Sequence, residues 1–224
     1  MAPPDDDDDG SDLESLLRGR SFEDRTFTGL EMQEADLAGK EFAGCTFVGC
    51  KAQESRWRGC RLEDCVFDRC DLTQARPAGM VAGKLQFRGC KLMGVEWTEL
   101  GRFVNLGFSE CTLQFASFLR LSLCRTQFVD CTITEANFFE VDLGEADFRG
   151  SSLTGSVFRG CKLRKTDFSA ATGVFVDPAA NEAREAIVPV ESAVLLAMHL
   201  GLRVAGYSGP AKAEPGRAGR GRRK

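Results

Sequence analysis

Apolar residues recur at every fifth position over about 150 residues of the chain. From Phe22 the beat runs through Phe27, Met32, Leu37, Phe42, Phe47, Ala52, Trp57, Leu62, Phe67 and Leu72, then Phe87, Leu92 and Trp97. It restarts one residue out of step at Phe103 and passes through Phe108, Leu113, Phe118, Leu123, Phe128 and Ile133. Phe138, Leu143, Phe148, Leu153, Phe158, Leu163 and Phe168 complete it. Fourteen of the 17 phenylalanines fall on this beat, so it is a design feature and not a consequence of composition. A period of five fits neither the helix at 3.6 nor the strand at 2.0. A fixed repeat of this length predicts a solenoid of stacked coils.

The position two before each beat residue is small: Cys45, Cys50, Cys60, Cys65, Cys70, Cys90, Ala116, Ala136, Ala146, Ser151 and Cys161 are examples. The other three positions of each unit are rich in charge, Gly, Ser and Thr. Each unit thus offers one large and one small residue inward. Phe27, Phe47, Phe67 and Phe87 are 20 residues apart, which predicts a four-sided coil of four units. Stacked at ~4.8 Å, the coils would form a rod of roughly 36 Å. Burial of each Phe or Leu rung contributes ~1.5–3 kcal/mol, offsetting the ordering of a chain that has no other core.

Two places break the beat. Pro77 and Ala82 fall on beat positions within 73–84, as two degenerate units or a small loop. The step from Trp97 to Phe103 carries an extra residue, which must bulge outward. Loops on a rigid scaffold carry contacts, so Pro77, Met80, Glu99 and Arg102 are candidate partner residues.

The ends differ from the body. Residues 1–20 carry an acidic run, Asp5–Asp9, and then Ser11-Asp12-Leu13-Glu14, which reads as a capping box; Leu13, Leu16 and Leu17 predict a short helix over the first coil, stopped by Gly19. The repeat occupies 21–172. Residues 173–203 read as a helical cap and dimer module: a helix over Pro178–Ala186 after Asp177, an extended Ile187–Val190, and a second helix over Glu191–Leu200. The second helix is apolar nearly all round and too short for a bilayer. One of its faces needs a second partner, most simply another copy of the chain. Residues 204–224 form a basic, solubilising tail.

Composition narrows the function. No run of 18 apolar residues and no positively charged apolar leader is present, which predicts a cytoplasmic, non-membrane protein. Nine of ten cysteines occupy the small inward position and no C-x-x-C occurs, so they read as small buried hydrophobes; Cys124 points outward and is the candidate reactive thiol. His199 is the single histidine and reads as a packed residue. Phosphate loop, nucleophile elbow and metal-spaced cluster are all missing, which predicts a non-enzyme without cofactor or metal. Within the nearly neutral repeat, Asp130, Glu135, Glu140, Asp142, Glu145 and Asp147 occur with no Lys or Arg between Arg125 and Arg149, reading as an acidic strip for a partner.

Units such as Ala35-Asp36-Leu37-Ala38-Gly39, Ala136-Asn137-Phe138-Phe139-Glu140 and Ala146-Asp147-Phe148-Arg149-Gly150 resemble the A(D/N)LXX pattern of the pentapeptide-repeat family. The resemblance spans roughly 21–172 and implies an all-β solenoid, the right-handed quadrilateral β-helix. Leu113-Gln114-Phe115-Ala116-Ser117-Phe118 and the ending Pro189–Leu202 resemble the topoisomerase-protecting branch, which includes quinolone-resistance and microcin or albicidin self-immunity proteins. That resemblance implies a homodimer through Val194, Leu195, Met198 and Leu202. It also implies binding of DNA gyrase, with topoisomerase IV as a second candidate, to relieve the enzyme of an antibiotic or toxin. DNA mimicry is one route, and direct duplex DNA binding is not expected. The alternative is an interaction scaffold for another protein.

Overall fold

The computed structural model describes residues 9–98, 100 and 104–207. The chain winds as a parallel β-solenoid. On the first side Phe22, Phe42, Leu62 and Ala82 pair in register, coil upon coil. The second side stacks Phe27, Phe47, Phe67, Phe87, Phe108 and Phe128. The third is a run of parallel bridges from Glu31 through Lys51, Asp71, Lys91, Thr112, Thr132 and Ser152 to Thr172. The fourth stacks Trp97, Phe118, Phe138 and Phe158. Partners lie 20 residues apart except across the extra residue, where Phe87 meets Phe108 and Trp97 meets Phe118. That residue is absorbed without loss of register on either side.

Most corners among the described residues are turned by one residue in the left-handed region, two after the beat residue. Gly29 (φ 66°) and Gly39 (φ 69°) fill it without strain, whereas Glu135 and Glu140 (both φ 54°) carry a side chain outward. The core is an aromatic ladder. Phe118 and Phe138 stack at 4.7 Å and 4°, while Phe128 and Phe138 meet edge to face at 6.2 Å and 87°.

The small position has a polar duty as well as a steric one. The Cys70 thiol donates to the Phe47 carbonyl at 3.3 Å, and the Cys161 thiol to the Phe138 carbonyl at 3.2 Å. Ser151 and Thr166 hydroxyls donate to the Phe128 and Leu143 carbonyls at 2.6 and 2.8 Å. Each therefore satisfies a buried carbonyl of the preceding coil, 23 residues back. Lys40, at the same position, is buried, and its ammonium donates to the Leu17 carbonyl at 2.9 Å and to the Gly19 carbonyl. It thus ties down the end of a helix α1 (Asp9–Arg18), whose Leu16 is fully buried and whose Leu17 stays exposed. Asp12 of α1 pairs with Arg25 at 2.7 Å.

One open alternative closes and two expectations change. Residues 73–84 hold no loop: Val81–Gly83 pairs with Arg61–Glu63, so both degenerate units keep the coil. Their small side chains leave a void of about 20 Å³ lined by Trp57, Pro77, Met80, Phe87 and Trp97 among others. Pro178–Ala186 is not a helix. Asp177 accepts from the Ala179 N–H at 2.9 Å in a turn, and Asn181 takes the small inward position, its amide donating to the Phe158 carbonyl at 2.9 Å and accepting from the Cys161 N–H at 3.0 Å. Glu182 bridges Lys162 and Ile187 bridges Asp167, so the winding runs past 172 to Ile187. Helix α2 (Val190–His199) follows, held by the Ser192 hydroxyl donating to the Val174 carbonyl at 2.7 Å and by His199 against Phe175 at 5.2 Å.

Candidate partner-binding surfaces

Surface neighbours on this fold are 20 residues apart, and the outward positions use that spacing for charge. Glu31 pairs with Lys51 at 2.6 Å, Asp64 with Lys84 at 2.8 Å, and Arg120 with Glu140 at 2.9 Å. All are solvent-exposed, so each is worth only about 0–1 kcal/mol. They neutralise the surface locally.

This rule dissolves the acidic strip. Asp130, Glu135, Glu140 and Glu145 are left-handed corner residues five apart, so they sit at four successive corners of one coil and face four directions. Their order along the chain is not their order on any face. Glu140 and Glu145 are paired with Arg120 and Arg125 of the preceding coil, both at 2.9 Å. Asp147 is held by Arg149 at 2.6 Å, which lowers its pKa. Asp142 is half-buried, its carboxylate accepting from the Gly144 N–H at 3.1 Å. The six do not combine into one anionic patch.

The loop candidates divide. Pro77 and Met80 are buried and point into the core, so neither offers a side chain to a partner. Glu99 and Arg102 lie outside the described residues. Cys124 is exposed as expected, but burial of its sulfur and the Asp142 carboxylate push its thiol pKa up, which opposes the thiolate a reactive cysteine needs. Among the inward thiols, burial raises Cys65 to about 11.

At the C-terminal end, Val194 and Leu195 are half-buried on α2 while Met198 and Leu202 are exposed. Val190 and Leu200 extend the same uncovered apolar region, at 76% and 68% exposure. The described residues contain no group of three His, Cys, Asp or Glu placed to hold a metal, and no helix long and apolar enough to cross a membrane.

The pentapeptide-repeat model matches residues 41–76, 108–144 and 133–169, in eight copies. Pentapeptide repeats thus account for those stretches of the chain. Among solved structures, the chain is similar to a trypsin-treated variant of QnrB1, described as a plasmid-mediated fluoroquinolone resistance protein. The identity is 20%, over 82% of this chain and 89% of that one, with a TM-score of 0.54. It also matches HetL of the cyanobacterium Nostoc sp. strain PCC 7120, a pentapeptide-repeat protein involved in heterocyst differentiation regulation. There the identity is 15%, over 80% and 92% of the two chains, with a TM-score of 0.42. At these identities the likeness is one of fold. No curated protein matches the chain.

Proposed function

We propose that this protein is a non-catalytic partner of DNA gyrase that protects the enzyme from a gyrase-poisoning antibiotic or toxin. The observation that carries the reading is the C-terminal end, where α2 leaves Val190, Met198, Leu200 and Leu202 uncovered beside Ile187. An apolar end of this extent on an otherwise charged rod fits joining of two rods end to end. It is the dimer that the resemblance of Pro189–Leu202 to the topoisomerase-protecting branch implies. QnrB1, of the same fold, is a fluoroquinolone resistance protein. The dispersed and paired acids argue against an acidic strip as the means of binding, so contact falls to other parts of the rod's skin.

The test is DNA supercoiling by gyrase poisoned with each of a panel of inhibitors, with and without the purified protein. Restored supercoiling against at least one inhibitor is the expected result. No rescue together with no capture of gyrase would overturn the reading in favour of the second one, a scaffold for another protein, to which the same exposed end is suited.

A further inference from the structure

Large hydrophobic side chains that remain exposed gather at the two ends of the rod, with two exceptions among the described residues. Phe115 is exposed mid-rod at 51% and Val157, on the last strand of its sheet, at 44%; both belong to the fourth side. Phe115 stands at the corner that opens it. Its φ of 60° makes it the one apolar residue among the non-glycine left-handed corners, which otherwise carry Asp, Glu, Arg, Lys or Gln. A bulky apolar residue in that conformation is both strained and exposed, a combination that marks sites of contact. Between Phe115 and Val157 the same side carries Leu119 and Phe139, half-buried and directly paired across adjacent coils.

Earlier coils of this side are cationic. Arg56 and Arg76 face each other across adjacent coils, a like-charge pairing unlike those of Glu31 with Lys51 and Asp71 with Lys91. With Arg58 they line a shallow groove of about 370 Å³ floored by Ala38 and Ala78. Asp36 approaches Arg56 at 3.6 Å, and Arg58 and Arg76 have no ion-pair partner among the described residues. The groove continues past Arg76 toward Gly94 and Glu96. From Arg56 to Val157 is five coil steps, about 24 Å at the strand spacing.

We propose that the fourth side is the face that grips the topoisomerase, an inference that rests on the function proposed above. Its partner surface would present carboxylates to the arginine groove and an apolar projection roughly 15–20 Å farther along, against Phe115 and Phe139. Nucleic acid fits less well, because Glu96 and Glu135 border the apolar half and repel phosphate.

The experiment titrates fluorescently labelled full-length protein with gyrase holoenzyme and, separately, with a 20-nucleotide oligothymidylate. The variants are R58E/R76E, F115S/V157S and, on the first side, K162E; all change exposed residues, and circular dichroism confirms their fold. Each fourth-side variant is expected to weaken gyrase binding by tenfold or more, while K162E binds as the unaltered protein does. Equal gyrase binding by all variants overturns this inference and leaves the proposed function standing. Oligothymidylate binding that is lost in R58E/R76E while gyrase binding persists also overturns it, in favour of a nucleic-acid face. Failure of the unaltered protein to bind gyrase ends both.

Discussion

Phe148 lies parallel to Phe128 of the preceding coil, ring centres 4.7 Å apart and planes 5° from coincidence. Both are completely buried, and Phe148 also meets Phe138 and Phe158 edge to face. Each ring therefore supports the coils on either side of its own. Phe148→Ala should cost about 3–5 kcal/mol by opening a cavity that a rigid ladder cannot close. Chemical denaturation measures this, and an unchanged midpoint would contradict the ladder as the source of stability.

Ser151 joins the same coils through polar contacts. Its hydroxyl donates to the Phe128 carbonyl at 2.6 Å and accepts from the Cys131 N–H at 2.8 Å. Ser151→Ala orphans both buried groups and should destabilise by about 1–3 kcal/mol. Ser151→Cys should recover much of that loss, since Cys131 occupies the equivalent place one coil earlier. Equal stability of the Ala and Cys variants would show that the position asks only for small size.

The solenoid was legible because its signal is periodic: every inward Phe or Leu repeats the same burial, and a beat of five admits one kind of fold. The surface was not legible, because chain order and surface order differ. Asp130 and Glu135 are near in sequence yet turn different corners, whereas Arg56 and Arg76, separated by a full coil, face each other. Writing the sequence in rows of 20 would have aligned those arginines and placed Leu119 above Phe139. The missing helix at Pro178–Ala186 has a similar cause. Asp177-Pro178 is good local helix chemistry, but Asn181 in the inward slot and the edge offered by Lys162 and Asp167 extend the sheet instead.

Stability should fall in acid. Lys51 lowers the pKa of Glu31, Arg125 that of Glu145, and Arg149 that of Asp147, each through a direct hydrogen bond. A carboxyl whose folded pKa is depressed binds fewer protons folded than unfolded. Its contribution is complete above the unfolded value and drains away as pH drops through the folded one. The melting temperature should therefore decline between about pH 5 and about pH 3. E145Q/D147N should decline less steeply; an identical slope would remove these pairs from the explanation.

Met198 and Leu202 are exposed in a single chain at 43% and 62%, so charge there disturbs association more than folding. Met198→Asp with Leu202→Asp should yield monomers by light scattering with the circular dichroism of the unaltered protein. A dimer that survives both changes would move the interface off this end.

Trp57 and Trp97 occupy the same column two coils apart, but among the described residues only one indole is satisfied. The Trp57 N–H donates to the Ser55 hydroxyl at 2.8 Å, and that hydroxyl donates on to the Ala52 carbonyl at 2.6 Å. At Trp97 the corresponding neighbour is Val95, and the buried indole N–H has no partner among the described residues. The void beside Pro77 borders the same ring. Val95→Thr nearly preserves shape and offers a hydroxyl, which can donate to the Leu92 carbonyl and accept from Trp97. A Thr in place of a buried Val ordinarily destabilises, because its hydroxyl goes unpaired. Here the new bond, worth about 0.5–1.5 kcal/mol, should cancel that penalty or exceed it. Equilibrium unfolding of the two proteins decides the matter: a loss well above 1 kcal/mol would mean that the hydroxyl cannot reach the indole.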